Sequence, residues 1–255
     1  MVQRMAILKI EKLRKYFGGV KAVDGVSVEV ERGEILGVIG PNGAGKTTFF
    51  NTICGVYRPD GGKILLQNRE IQGLTSFQIA RLGIARTFQI VKPFADMIVL
   101  DNIISAIGIN RYKSIWGSFR NCRTNEAISK AKELLEMVEL EGYEQEKAGA
   151  LSLGYIKRLE IARALGINPK IIMLDEPCAG LSHDAMEEFI QLFKRLTTEG
   201  LTIMMVEHNM PTAMALCDRM IVLDYGEKIA EGKPKEIQEN EKVIEAYLGK
   251  EEENA

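Results

Sequence analysis

The chain has 255 residues and a formal net charge of −2, from 33 Lys and Arg against 35 Asp and Glu. That length buries a full core in one large domain, or in a core plus a small subdomain, and its balanced charge gives no electrostatic reason to expect nucleic-acid binding. Cys54, Cys122, Cys178 and Cys217 are scattered without a Cys-x-x-Cys pair and read as reduced packing thiols, and no apolar run approaches the about 20 residues of a membrane-spanning helix.

Residues 7–13 and 26–31 alternate apolar and polar side chains around a turn at Gly18-Gly19, the period of half-buried antiparallel strands. Residues 35–39 are continuously apolar, as a strand covered on both faces would be. They lead into Gly40-Pro41-Asn42-Gly43-Ala44-Gly45-Lys46-Thr47-Thr48, and a helix-like segment follows at 49–54. Strand, glycine-rich turn and helix together make a P-loop. Gly40, Gly43 and Gly45 let successive N–H groups converge on an anion at the positive end of the helix. Lys46 can reach β- and γ-phosphates, and Thr47 can ligate Mg²⁺. Residues 64–66, before a turn at Asn68-Arg69, are expected to extend the antiparallel layer.

From 91 to 166 the pattern turns helical, with Ile128, Ala131, Leu135 and Val138, then Ile156, Leu159, Ala162 and Leu165, near helical spacing. Residues 118–125 are polar and basic without a period and read as a loop. Residues 171–174 are a further apolar run, ending in the adjacent carboxylates Asp175 and Glu176, where ligands of open α/β sheets bind. There Asp175 can hold Mg²⁺ through its water shell and Glu176 can take a proton from an attacking water. The other reading is a strand that happens to end in two acids. Residues 203–206 and 220–223 complete a set of buried strands, His183 falls at a helix start, and 251–255 form a solvated tail. The expected fold is α/β: a RecA-like P-loop core with a mostly parallel sheet and an N-terminal antiparallel layer (residues 1–90 and 167–255), interrupted by a helical subdomain (91–166).

The order of motifs after the P-loop resembles that of ABC transporter nucleotide-binding subunits over essentially the whole chain. Leu151-Ser152-Leu153-Gly154-Tyr155 resembles the signature motif, and Ala179-Gly180-Leu181-Ser182 lies where the family has its D-loop. Gln89 stands at the Q-loop glutamine, His208 at the switch histidine and Tyr16 at the aromatic that stacks on adenine. The resemblance implies ATP and Mg²⁺ as cofactors. It implies that Ser152 and the backbone of Gly154 contact a γ-phosphate held in another copy's P-loop. Gln89 would approach both Mg²⁺ and the attacking water, and His208 would donate to the γ-phosphate. The implied partners are a second cassette, as a homo- or heterodimer closed by ATP, and a transmembrane permease. The implied place is cytoplasmic, peripheral on the inner face of the membrane, with no insertion of its own.

The signature departs from the family pattern at Leu153 and Tyr155, where glycine and glutamine are usual, and the D-loop ends in Ser182 rather than an acid. Residues 83–89, 97–103 and 243–249 are similar to the LivG-type ATPases of branched-chain amino-acid importers. Urea and short-chain amide importers, and the ATPase of lipopolysaccharide export, share parts of that pattern. Non-transport cassettes usually carry a second cassette or a long coiled coil, which this sequence lacks, and a P-loop kinase would leave Ser152 and His208 without a role. Val91, Pro93, Phe94 and Met97 put apolar side chains directly after Gln89 and are expected to meet the permease.

Overall fold

Alternation in the first part of the chain becomes an antiparallel layer. The computed structural model describes residues 6–87, 93–108 and 123–248. In it β1 (Ala6–Phe17) and β2 (Val20–Glu31) flank the Gly18-Gly19 turn, with Leu8, Ile10 and Leu13 buried from one strand and Val26, Val28 and Val30 from the other. β3 (Ile35–Ile39) belongs to a different sheet, whereas β4 (Gly61–Leu66) and the two-residue β5 (Arg69–Glu70) complete the layer in the order β2-β1-β4-β5.

The second sheet adds to β3 the strands β6 (Ile84–Arg86), β7 (Ile171–Asp175), β8 (Thr202–Val206), β9 (Arg219–Asp224) and β10 (Glu227–Gly232), in the order β10-β9-β3-β8-β7-β6. Every pairing in it is parallel except β9 with β10. Its central strands are apolar throughout because both faces are covered. On one face Ile35, Ile172, Leu174, Ile203, Met205 and Val222 join the helical core. On the other, Leu36, Val38, Met173, Met204, Val206 and Leu223 meet the antiparallel layer and the helix after the P-loop.

Nine α-helices lie among the described residues: α1 (Lys46–Ile53), α2 (Ser76–Leu82), α3 (Val99–Ile107), α4 (Asn125–Met137), α5 (Leu153–Leu165), α6 (His183–Thr198), α7 (Met210–Leu216), α8 (Pro234–Gln238) and α9 (Glu241–Leu248). The anticipated stripes are in place, with Ala131, Leu135, Leu159 and Ala162 fully buried. The core they form is continuous with the face of the six-stranded sheet. Several findings differ from the sequence reading, among them the turn expected at Asn68-Arg69, which falls at Gln67-Asn68 because both take positive φ and Arg69 already opens β5. α1 begins at Lys46 rather than 49, because the P-loop itself supplies its N-cap, Gly45. β6 and β10 were not foreseen. The first is too short to show a period, and the second is a charged edge strand, a composition that discourages edge pairing. The loop read at 118–125 falls mostly outside the described residues, though Asn125 opens α4, and the tail at 251–255 falls wholly outside them.

Candidate functional site

The P-loop keeps its shape because two of its glycines touch backbone. Gly40 has φ +143° and Gly45 φ +98°, and a Cβ at either would come within 2.0 Å of the Leu223 carbonyl oxygen or 2.1 Å of that of Ala22. Pro41 and Ala44 are buried while Asn42, Gly43 and Thr47 face solvent and Thr48 is half-buried. No side chain caps α1, so its first N–H groups are turned toward the loop as an anion site would need. Lys46 is buried and donates to the carbonyls of Gly40, at 2.6 Å, and Pro41, at 2.8 Å. Its ammonium thus lies along the inside of its own loop.

Asp175 ends β7, and Glu176 follows in a left-handed conformation, φ +50°. Thr47 and Asp175 line one groove of about 800 Å³, whose other walls include Arg86 from β6 and Glu160, Arg163 and Ala164 from the second half of α5. Arg86, which sequence reasoning passed over, donates from Nη2 to Asp175 at 3.0 Å and from Nη1 to the Asn51 side chain, with Asp175 buried and Arg86 half-buried. Only its place three residues before Gln89 could have drawn notice to it. A hydroxyl and a carboxylate facing one groove are hard oxygen donors of the kind Mg²⁺ takes. His208, after β8, brings Nε2 against Glu176 Oε1, so the two residues expected to serve hydrolysis meet. Gln89 lies outside the described residues.

Tyr16 is tied to two carboxylates. Its hydroxyl donates to Asp24 at 2.6 Å, which raises its pKa, and its N–H donates to Asp60 at 2.6 Å. The next residue, Phe17, is 44% exposed, edge-on to Tyr57 at 5.1 Å, with the Lys15 ammonium 5.3 Å from its ring centre.

Ser152 is the N-cap of α5, but its hydroxyl makes no bond to that helix. Ser182, by contrast, caps α6 by accepting from the Ala185 N–H at 3.3 Å. Leu153 is 47% exposed and lies beside Gly180 and Leu181 lies beside Gly154, so signature and D-loop form one surface. The groove with Thr47 and Asp175 takes no wall from this end of α5, a helix of 13 residues and hence about 20 Å long. Tyr155 turns back into its own chain, its ring 4.6 Å from that of Tyr143. His183 opens α6, exposed and 3.4 Å from Glu187.

Ahead of the groove, Asn102 of α3 is fully buried. It accepts from the Phe94 N–H at 3.0 Å and donates to the carbonyls of Phe94 and Ile98 at 3.1 Å. That clasp presents Phe94, 49% exposed, and Met97, 37% exposed, at the surface, while Pro93 is half-buried and Val91 lies outside the described residues.

Comparison with known proteins gives the same grouping of motifs a family. Residues 23–179 match the family described as ABC transporter, and residues 227–253 match one described as branched-chain amino acid ATP-binding cassette transporter. The high-affinity branched-chain amino acid transport ATP-binding protein BraF of Pseudomonas aeruginosa is 40% identical over 250 residues, 95% of this chain and 98% of that protein. The ADP conformation of MJ1267, an ATP-binding cassette of an ABC transporter, superposes with a TM-score of 0.86 at 36% identity, over 96% of this chain and 99% of that one. A dimeric post-hydrolysis state of the cassette MJ0796 bound to ADP and Pi superposes with a TM-score of 0.76 at 29% identity, covering 89% of this chain and 98% of that one.

Proposed function

The chain belongs to the ABC transporter family of ATP-binding cassettes, and from that premise we propose that it is the ATPase of an importer for branched-chain amino acids. The observation that carries the cargo is the match of residues 227–253, a segment outside the nucleotide motifs, together with the near full-length likeness to BraF. ATP hydrolysis is the activity of the family, and the residues divide its work. Lys46 exchanges the carbonyls of Gly40 and Pro41 for β- and γ-phosphate oxygens, and the first N–H groups of α1 complete the cradle. Thr47 and Asp175, with Gln89, would hold Mg²⁺, which would supply charge neutralisation on the phosphates. Glu176 accepts a proton from the attacking water, and His208, whose Nε2 meets that carboxylate, exchanges it for the γ-phosphate, to which it donates. Phe17 supplies the ring for adenine, since Tyr16 is committed to Asp24.

Ser152 and Gly154 act on the nucleotide of a second cassette. Support comes from the position of the α5 N-terminus outside the groove of Thr47 and Asp175, and from the likeness to a dimeric cassette. None of the described helices is long and apolar enough to cross a membrane. By its likeness to transport ATP-binding proteins, the chain acts from the cytoplasmic face through a permease, which docks on the surface of Phe94 and Met97. Reconstitution with the neighbouring permease and solute-binding protein tests the cargo. ATP-dependent uptake of leucine, isoleucine or valine, abolished by Glu176→Gln, is expected; uptake of urea or an amide in their place overturns it.

A further inference from the structure

The left-handed turn that carries Glu176 is gripped from α5. Lys157, buried at 8% exposure, donates from Nζ to the carbonyl of Glu176 at 3.1 Å and to that of Pro177 at 2.9 Å. The Glu176 carbonyl also accepts from the Ala179 N–H at 3.2 Å, and the Glu176 N–H donates to the Val206 carbonyl at 3.0 Å. A non-glycine residue at φ +50° needs its surroundings to hold it there. Burial costs an ammonium its hydration and lowers the Lys157 pKa, while the carboxylates of Glu207, Glu160 and Glu176 act on it through space. Glu207, itself buried after β8, is hydrogen-bonded to the backbone of Cys178 and leaves one carboxylate oxygen without a hydrogen-bond partner among the described residues. A long, entropically costly side chain is thus spent on two carbonyls of the turn that aims Glu176.

We propose that Lys157 is a positioning residue for ATP hydrolysis, its ammonium fixing the Glu176-Pro177 backbone so that the Glu176 carboxylate meets the attacking water. The proposal rests on the reading of Glu176 as base. Lys157 touches no substrate and acts through Glu176, so its loss affects turnover and not nucleotide capture. Steady-state ATPase assays on the intact protein with its permease, with binding of a non-hydrolysable ATP analogue measured in parallel, test this on Lys157→Met, Lys157→Arg, Glu176→Gln and the Lys157→Met/Glu176→Gln double variant. Lys157→Met is expected to lower kcat at least tenfold with KM and analogue affinity within about twofold. Lys157→Arg, which restores donors to the carbonyls, should recover most of that loss. The double variant should be no slower than Glu176→Gln, because residues that act as one unit are not additive. Parental kcat in Lys157→Met alongside an inactive Glu176→Gln overturns the role of Lys157 alone, whereas parental kcat in Glu176→Gln overturns the reading of the base. Additive losses in the double variant, or no rescue by arginine, also overturn the proposal. Should Lys157→Met fail to fold, Lys157→Gln, with an amide donor for one carbonyl, takes its place, with an intermediate kcat expected and parental kcat overturning.

Discussion

Two neighbouring aromatics divide one expectation at the scale of the residue. The resemblance singled out Tyr16, yet its phenol is held by Asp24 while Phe17 stands in solvent. Stacking of a base on an aromatic ring contributes about 1–3 kcal/mol. Phe17→Ala is therefore expected to weaken ATP binding at least fivefold by calorimetry, and Tyr16→Phe by less than twofold; the reverse order would return the role to Tyr16. Glu207 carries a second prediction. Burial pushes its carboxyl up to about 7, against Cys178 and Glu176 on the loop after β7, Lys157 on α5, Cys217 at the end of α7 and the adjacent His208. Its native pKa thus lies above its unfolded one, so stability is greatest below the unfolded pKa and is lost as pH rises between the two. Glu207→Gln removes the titration, and its urea midpoint should gain on the parent's more at pH 8 than at pH 5.

Elements are held in register by a few buried polar residues, and Arg158 is the fullest case. From inside α5, at 3% side-chain exposure, it donates to the Val138 carbonyl at 3.0 Å, to Glu139 at 2.7 Å and to Glu188 of α6 at 2.7 Å, with its guanidinium 5.2 Å from the Phe189 ring. One side chain so joins the end of α4, α5 and α6. Hydrogen bonds to charged groups contribute about 1.5–3 kcal/mol, but Glu139 and Glu188 remain hydrated when the arginine is lost. Arg158→Met is expected to cost about 2 kcal/mol, read as a lower urea midpoint, with ATP affinity little changed because the clamp lies away from the P-loop.

The whole molecule places Thr47 and Asp175 on one groove and Leu153, beside the Gly180 turn, at the other end of α5, the surface proposed to meet a second copy. Glu176→Gln is expected to bind ATP, to turn over at least a hundredfold more slowly, a loss of about 2.7 kcal/mol in barrier terms, and to accumulate as an ATP-dependent dimer. Light scattering with ATP checks the dimer, and a monomer under saturating ATP would contradict the trans role of Ser152. The clasp of Asn102 holds Phe94 and Met97 outward where a permease can reach them. Phe94→Glu and Met97→Glu should uncouple uptake from ATP hydrolysis while leaving ATP affinity within about twofold; normal transport by the assembled variants would move the docking site elsewhere.

What the sequence determined by itself was local in origin. Apolar runs marked the buried strands, alternation marked the antiparallel layer, and Gly40 to Thr48 together with Asp175 and Glu176 marked the candidate site, because each depends on residues close in the chain. Arg86 beside Asp175, Lys157 on the Glu176 carbonyl, Glu207 within electrostatic reach of both Glu176 and Lys157, and the different surroundings of Tyr16 and Phe17 were decided only by tertiary structure. Those pairings join residues from 8 to 89 positions apart, and no periodicity encodes which side chain a distant carbonyl or carboxylate will face once two sheets and a helical layer have packed.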